Sequence, residues 1–249
     1  MPRTVSIHFL PDQIPVGALE GQTAVVIDIL RASTTILQAL DAGAIAVHPF
    51  QEVDEARRAT ASLPRPVLLG GERGGKKIKG FDLDNSPWNY TDDVCRGAHL
   101  VFTTTNGTRA LHACREAERV LIGGFTNLSA LLDTLYAVKT DVHLVCAGTD
   151  GEITYEDVLF AGAVCRQLLA IPEDFEIGND PARVAQANAP ANLSRAALVD
   201  LLRVSRGGEN LLELGFERDL EFAAEVDRTP LLAVWDPELN RIVREVSFV

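Results

Sequence analysis

Apolar and polar positions alternate in blocks along the chain. Thr23–Ile29 (TAVVIDI) is a short β-rich apolar run, the pattern of a buried strand. Ser33–Leu40 then sets Ile36, Leu37 and Leu40 on one helical face, and Gly43 stands where such a helix would end. The same reading predicts a strand at Ala44–His48, a helix at Glu52–Ser62 and a strand at Val67–Leu69. Beyond a long gap come a strand at His99–Phe102, a helix at Thr108–Ala117 and a strand at Val120–Ile122. A helix from about Asn127 to Leu135 follows, with Asn127 as a fitting N-cap. Val142–Cys146 reads as the next strand and Glu156–Leu169 as a long amphipathic helix. Strands alternating with helices of this length predict βαβ units and a mostly parallel sheet.

The last third is less regular. Pro172–Asn192, rich in Pro, Asn and Asp, reads as a connecting segment, and Ser194–Val204 as a helix capped by Ser194. Leu231–Trp235 and Ile242–Phe248 read as two strands joined by the turn at 236–240, an antiparallel pair expected at one sheet edge. The expected fold class is therefore α/β with a mixed sheet. The chain is taken as one domain over 1–249, with room for a sub-domain break near 172–192.

Composition narrows the class. The 249 residues are 47% hydrophobic and 23% charged, which excludes a disordered chain, a coiled coil and a disulfide-stapled miniprotein. Acidic residues outnumber basic ones, 35 to 23, for a net charge of −12. Binding by phosphate neutralisation needs the opposite bias, so no nucleic-acid partner is expected. No apolar run reaches the roughly 18–20 residues of a membrane helix, and no cleavage site follows the N-terminal patch, so a cytoplasmic protein with no membrane partner is expected. Cys95, Cys114, Cys146 and Cys165 are widely spaced and read as buried free thiols. A homo-oligomer is left open.

Polar motifs follow several of the predicted strands, at the edge where open α/β sheets bind ligands. Asp28-Ile-Leu-Arg31-Ala-Ser33-Thr34-Thr35 sets hydroxyls beside an Arg at a helix start, which makes either an anion site or a capped helix with an ion pair. A phospho-aspartate phosphatase of the haloacid dehalogenase type would carry a second Asp at position 30, which is Leu. Thr103-Thr104-Thr105-Asn106-Gly107-Thr108, followed by Arg109, can donate hydrogen bonds to phosphate oxygens or form a plain capped turn; it lacks Walker A spacing. Gly123–Asn127 and Ala147–Glu152 complete the set.

The stretch from Gly70 to Tyr90 shows no helical or strand period, carries Phe81, Trp88 and Tyr90, and concentrates Arg73, Lys76, Lys77 and Lys79. A loop of that length is usually functional, and a basic lid over an anionic small molecule is the expectation. Asp150, Glu152, Glu156 and Asp157 cluster; oxygen donors of this kind suit magnesium, although Glu156 and Asp157 also match the simple role of complementing a helix N-terminus. No Ser-His-Asp or Cys-His arrangement is legible, and the five His residues lack zinc spacing.

DILRASTT (28–35), GGERGG (70–75), GFDLDNSP (80–87), TTTNGTRAL (103–111), CAGTDGEITYED (146–157) and SRGGENLLELGFERDLEFAAEVD (205–227) together resemble the motifs of the 2-phosphosulfolactate phosphatase (ComB) family, in that family's order. The resemblance implies a three-layer α/β/α fold with a mixed sheet. It implies a Mg2+-dependent phosphatase converting 2-phospho-3-sulfolactate to 3-sulfolactate and phosphate, a step of the coenzyme M biosynthesis type. Lys76 and Lys79 depart from the family pattern, where apolar residues or Pro are frequent. On this reading Asp28, Glu72 and Asp157 are catalytic, and the metal is held by some of Asp28, Glu72, Asp150, Glu152 and Asp157. A small anionic phosphorylated substrate would meet Arg31, Ser33, Thr34, Arg73, Lys76, Lys79, Asn85, Ser86, Thr104, Thr105, Asn106, Gly107, Thr108, Arg109, Asn127 and Arg206. The alternatives are a phosphatase for another small organophosphate acid and a non-catalytic anion-binding or sensor protein.

Overall fold

The structure is a computed structural model and describes residues 2–171 and 173–245. Its strands are β1 (Arg3–His8), β2 (Thr23–Ile27), β3 (Ala46–Phe50), β4 (Val67–Arg73), β5 (Lys76–Lys77), β6 (His99–Thr103), β7 (Arg119–Gly123), β8 (Val142–Cys146), β9 (Phe175–Ile177), β10 (Ala233–Asp236) and β11 (Arg241–Arg244). Its helices are α1 (Ala32–Asp41), α2 (Val53–Ala59), α3 (Asp92–Cys95), α4 (Gly107–Ala113), α5 (Leu128–Ala137), α6 (Tyr155–Leu168), α7 (Asp180–Ala187), α8 (Arg195–Arg203), α9 (Arg206–Glu213) and α10 (Glu217–Ala223). The strands form one mixed sheet in the order β5-β4-β6-β3-β11-β10-β7-β2-β8-β1-β9.

β2 shows why the apolar runs are continuous. Val25 and Ile27 face a core shared with α5, α6 and α8, while Ala24 and Val26 face a second core shared with α1 and α4. A strand covered on both faces has no polar side to display. The result is the three-layer α/β/α arrangement. Gly43 follows α1 with φ 92°, in the left-handed region expected of a residue that ends a helix.

Three expectations need correction. The antiparallel pair β10–β11 lies inside the sheet, with β10 on β7 and β11 on β3. Trp235 and Ile242 are buried there, and the exposed edges fall instead to the short, charged strands β5 and β9, the usual way a sheet protects its edges. The part of the predicted strand Ile242–Phe248 beyond Glu245 lies outside the described residues. The segment 172–192 is also more than a connector, since it holds β9, paired with β1, and α7, packed on α6 and β1.

The third correction concerns the edge where the motifs were expected to gather. Passing through the antiparallel hairpin reverses direction, so the parallel block β3, β6, β4 runs opposite to the block β7, β2, β8, β1, β9. The carboxyl ends therefore do not form one uniform edge. Over the five steps from β2 to β6, strand twist of about 20–25° each turns the second block by roughly a hundred degrees. The two sets of carboxyl ends meet across a cleft.

Candidate active site

The cleft measures about 520 Å³ and is lined from both blocks and from the C-terminal helices. β2 delivers Asp28, Leu30 and Arg31; β4 and its turn deliver Glu72, Arg73, Gly74 and Gly75; Asn85 comes from the following loop. Thr104, Thr105 and Asn106 follow β6, Thr149 and Asp150 follow β8, and α9 closes the wall with Gly207, Asn210, Leu211 and Glu213, next to Leu214.

Asp28 organises the turn into α1. Its Oδ1 accepts the Ala32 N–H at 3.1 Å, its own N–H donates to Ser33 Oγ at 3.0 Å, and its carbonyl accepts the Ser33 N–H at 2.8 Å. Its Oδ2 sits beside Gly107, where an added Cβ would stand 2.9 Å away, and Gly107 thereby lets α4 approach. Burial and the neighbouring carboxylates of Asp157 and Glu72 push the Asp28 carboxyl up to about 8, against the opposing pull of the Ala32 N–H and Arg31. Ser33 and Thr34 are internal braces rather than lining residues, with Thr34 Oγ1 donating to the Ile29 carbonyl at 2.9 Å.

The other carboxylates fall into distinct roles. Glu72 Oε1 accepts from the Thr105 N–H (3.1 Å) and hydroxyl (3.2 Å), and Oε2 from the Gly75 N–H (2.8 Å), so it ties the β4 turn to the β6 loop while facing the cleft. Asp157 does not line the cleft. Its oxygens accept from the N–H groups of Ile29 (2.9 Å) and Gly148 (3.1 Å) and from the Thr154 hydroxyl (3.2 Å), joining the ends of β2 and β8. Burial and Glu156 raise its carboxyl to about 7 despite those donors. Asp150 lines the cleft with φ 54° and donates its N–H to Asn106 Oδ1 at 3.2 Å. Glu152 points away and pairs with Arg206 at an exposed position, so neither residue lines the cleft.

Glu156, next to Asp157 in α6, has a role that helix-end complementation does not describe. It is buried, its Oε2 has no hydrogen-bond partner, and burial raises its carboxyl to about 7. A Cβ at Gly207 would fall 2.0 Å from its Oε1, so the glycine at the start of α9 makes room for the acid.

The cations are arranged differently from the expectation. Arg31 Nη1 is paired with Asp219 Oδ2 at 2.7 Å, Nη2 donates to the Gly75 carbonyl at 2.9 Å, and the guanidinium stacks 4.5 Å over Phe216. Asp219, which sequence reasoning missed, also accepts from Ser86 Oγ at 2.7 Å; Ser86 therefore braces the ion pair and does not line the cleft. Arg73 lines the cleft while donating to the carbonyls of Glu72 and Gln51. Lys76 and Lys79 are exposed and outside the lining; Arg109 is half-buried and also outside it, with its Nη2 buried and without a partner. Thr108 lies behind the wall, 3.4 Å from Thr104 Oγ1. Asn127 is fully buried on Gly124, Ile122 and Leu231, holding the β7 turn to the segment that leads into β10. Asn85 is 4% exposed, lines the cleft, and its Oδ1 has no partner.

The 70–90 stretch is a packed structure, not a free lid. β4 runs on to Arg73 and turns into β5, and Tyr90 is fully buried, its hydroxyl donating to the Asp84 carbonyl at 2.6 Å. Trp88 packs edge-on against Phe222 of α10 at 5.1 Å and donates to the Arg218 carbonyl. These aromatics lock the loop to the C-terminal helices. The four cysteines are free and buried, and burial raises each thiol, Cys114 to about 12, so none is an activated nucleophile. Among the described residues no three His, Cys, Asp or Glu side chains converge as a metal cluster, and no helix is long and apolar enough to cross a membrane.

A three-layer α/β/α protein with carboxylates, hydroxyls and amides gathered at converging strand ends belongs to the class that handles small polar ligands at strand termini. A model of the 2-phosphosulpholactate phosphatase family matches residues 8–237, and the chain belongs to that family of phosphoric monoester hydrolases. The chain is 40% identical to a probable 2-phosphosulfolactate phosphatase of Symbiobacterium thermophilum, over 89% of this chain and 94% of the relative. It is 38% identical to one of Caldanaerobacter subterraneus, over 91% of each chain, and 35% identical to one of Clostridium acetobutylicum, over 89% of this chain and 92% of the relative.

Proposed function

We propose that the chain is a magnesium-dependent phosphatase that hydrolyses 2-phospho-3-sulfolactate to 3-sulfolactate and phosphate, a reaction of the coenzyme M biosynthesis type. The family assignment supports the reaction, and one feature of the cleft supports the metal. Three acids, Glu72, Asp150 and Glu213, line it beside the raised Asp28 carboxyl, against two guanidiniums that are both already engaged, Arg31 by Asp219 and Arg73 by backbone carbonyls. A substrate carrying phosphate, sulfonate and carboxylate would meet net repulsion there without a bound cation.

The donor chemistry fits magnesium, which takes oxygen ligands and needs only one or two carboxylates beside waters and a substrate phosphate. Asp28 and Asp150 would be the acids to hold the ion on this reading, because both line the cleft, whereas Asp157 and Glu72 each accept three hydrogen bonds and Glu152 is paired with Arg206. When bound, the ion supplies charge neutralisation at the phosphoryl oxygens.

The chain's own residues supply the rest. Thr104, Thr105, Asn106, Asn85 and Asn210 offer uncharged donors to the substrate's anionic groups without adding to the crowding. Glu72, held in orientation by Gly75 and Thr105, keeps one of its about four acceptor sites for a proton from a water attacking phosphorus in line. Arg31, fixed by Asp219 and Phe216, keeps a guanidinium in the cleft wall. A covalent phospho-Asp28 is the rival route, and the stereochemistry at an isotopically chiral phosphorus separates them: one in-line attack by water inverts it, whereas two successive displacements through the aspartyl phosphate retain it.

The variant Asp28→Asn tests the assignment. Phosphate release should fall by about 10²–10³ in kcat, and the magnesium concentration giving half activity should rise at least tenfold. Wild-type values for both quantities would contradict the site.

A further inference from the structure

Three of the chain's four lysines, Lys76, Lys77 and Lys79, lie within four positions of one another, and no acid intervenes between Glu72 and Asp82. Elsewhere the chain meets its need for positive charge almost wholly with arginine, which suits directed, bidentate pairing; lysine is a hydrated point charge. The hairpin sets Lys76 and Lys77 directly after the cleft wall, and Lys79 follows two residues on. Its turn, Gly74–Gly75, is part of the cleft wall, and the return strand β5 sets Lys77 opposite Glu72 and Lys76 opposite Arg73. Ile78 and Phe81 are buried beyond it in a small apolar cluster with Ala56 and Val101, so the hairpin is anchored.

All three lysine side chains are exposed, and none makes an ion pair among the described residues. Lys77 reaches only the Asp82 carbonyl, at 3.5 Å, and Arg57 adds a fourth cation by donating to the Lys79 carbonyl at 2.7 Å. Every guanidinium in or beside the cleft that could attract an anion is occupied, except that of Arg109, which does not line it. The protein as a whole carries −12.

From this arrangement we propose that Lys76, Lys77 and Lys79 form an electrostatic collar that steers a multiply charged phosphoester into the cleft without touching it there. The inference rests on the phosphatase reading and adds to it the means by which an acidic protein captures a polyanion. Charge arranged at a cleft mouth raises encounter rates by about 10–10³, and salt removes the effect as the Debye length shrinks to about 8 Å at physiological ionic strength.

The test is kcat/KM against ionic strength for three substrates of rising charge: a simple alkyl phosphate, phosphoglycolate and 2-phospho-3-sulfolactate. The wild-type protein is compared with Lys76→Gln/Lys77→Gln/Lys79→Gln and with Lys139→Gln, the remaining lysine. The wild type should lose kcat/KM about fivefold or more for the most charged substrate between 10 and 300 mM salt. The triple variant should lose less than about twofold, with the deficit at low salt in KM rather than kcat and graded by substrate charge, whereas Lys139→Gln should follow the wild type. A triple variant that keeps the wild-type salt slope, or one equally impaired for all three substrates, overturns the steering role alone. A wild-type protein that hydrolyses none of them overturns the reading of the cleft beneath it.

Discussion

Replacing Asp219 by Asn should destabilise the protein more than most single changes at a polar position. Arg31 and Asp219 side chains are 3% and 2% exposed and meet at 2.7 Å, so removing one charge strands the other away from water. Breaking a buried pair from one side costs about 3–5 kcal/mol. The Asn carbonyl still accepts one bond, and Arg31 keeps the Gly75 carbonyl and the face of Phe216, which brings the expectation to about 2–4 kcal/mol. For a chain of this size each kcal/mol moves Tm by about 2–4 °C, so the loss is roughly 5–15 °C by calorimetry. The exposed pair Asp180–Arg183 is the control, and Asp180→Asn should move Tm by less than about 1 °C. The double variant Arg31→Met/Asp219→Leu should recover most of the loss, because it leaves no uncompensated charge. A shift under 1 °C for Asp219→Asn would refute the argument that this pair joins α10 to the site.

Two further outcomes follow from the same coordinates. Gly71 has φ 134°, and a Cβ there would fall 2.0 Å from the Thr103 carbonyl, so Gly71→Ala should cost about 2–4 kcal/mol in denaturant unfolding, whereas Gly74→Ala, with open space around it, should cost only about 1 kcal/mol. His8 and His48 are each held down to about 4 by burial and by a partner imidazole, so the stability from their neutral forms is whole above pH 6.5 and is lost as pH falls from there toward 4. Between pH 7 and 5 each should contribute a loss of about 1 kcal/mol after solvent screening, and His8→Gln/His48→Gln should flatten the Tm profile over that interval.

The parts of the fold legible in sequence are those where apolar runs are unbroken. β2, β8 and α6 are covered by two cores or by one continuous one, and their patterns state it directly. β1 was missed because Val5 and Ile7 alternate with Ser6 and His8, and the polar positions are buried too, His8 against His143 at 3.0 Å. The site was legible where a glycine or carboxylate stood next to a strand end, as at Asp28, Glu72, Asp150 and Thr104–Asn106. It was not legible where function depends on pairing between distant segments. No local pattern says that Arg31 is taken by Asp219, 188 residues away, or that Asn127 spends its amide on Leu231. Nor does spacing show that Asp157 is saturated by backbone donors while its neighbour Glu156 keeps an unpartnered oxygen.

Removal of phosphate from an ester that also bears a sulfonate, with magnesium bound, is the activity proposed for this cleft. The most direct measurement is phosphate release from synthetic 2-phospho-3-sulfolactate with Mg2+ and then with EDTA, beside phospholactate and phosphoglycolate, with 3-sulfolactate followed by mass spectrometry. The account predicts stoichiometric sulfolactate and phosphate, dependence on Mg2+, and the highest kcat/KM for the sulfonate. Equal turnover in EDTA, or release only from the substrates lacking sulfonate, would contradict it.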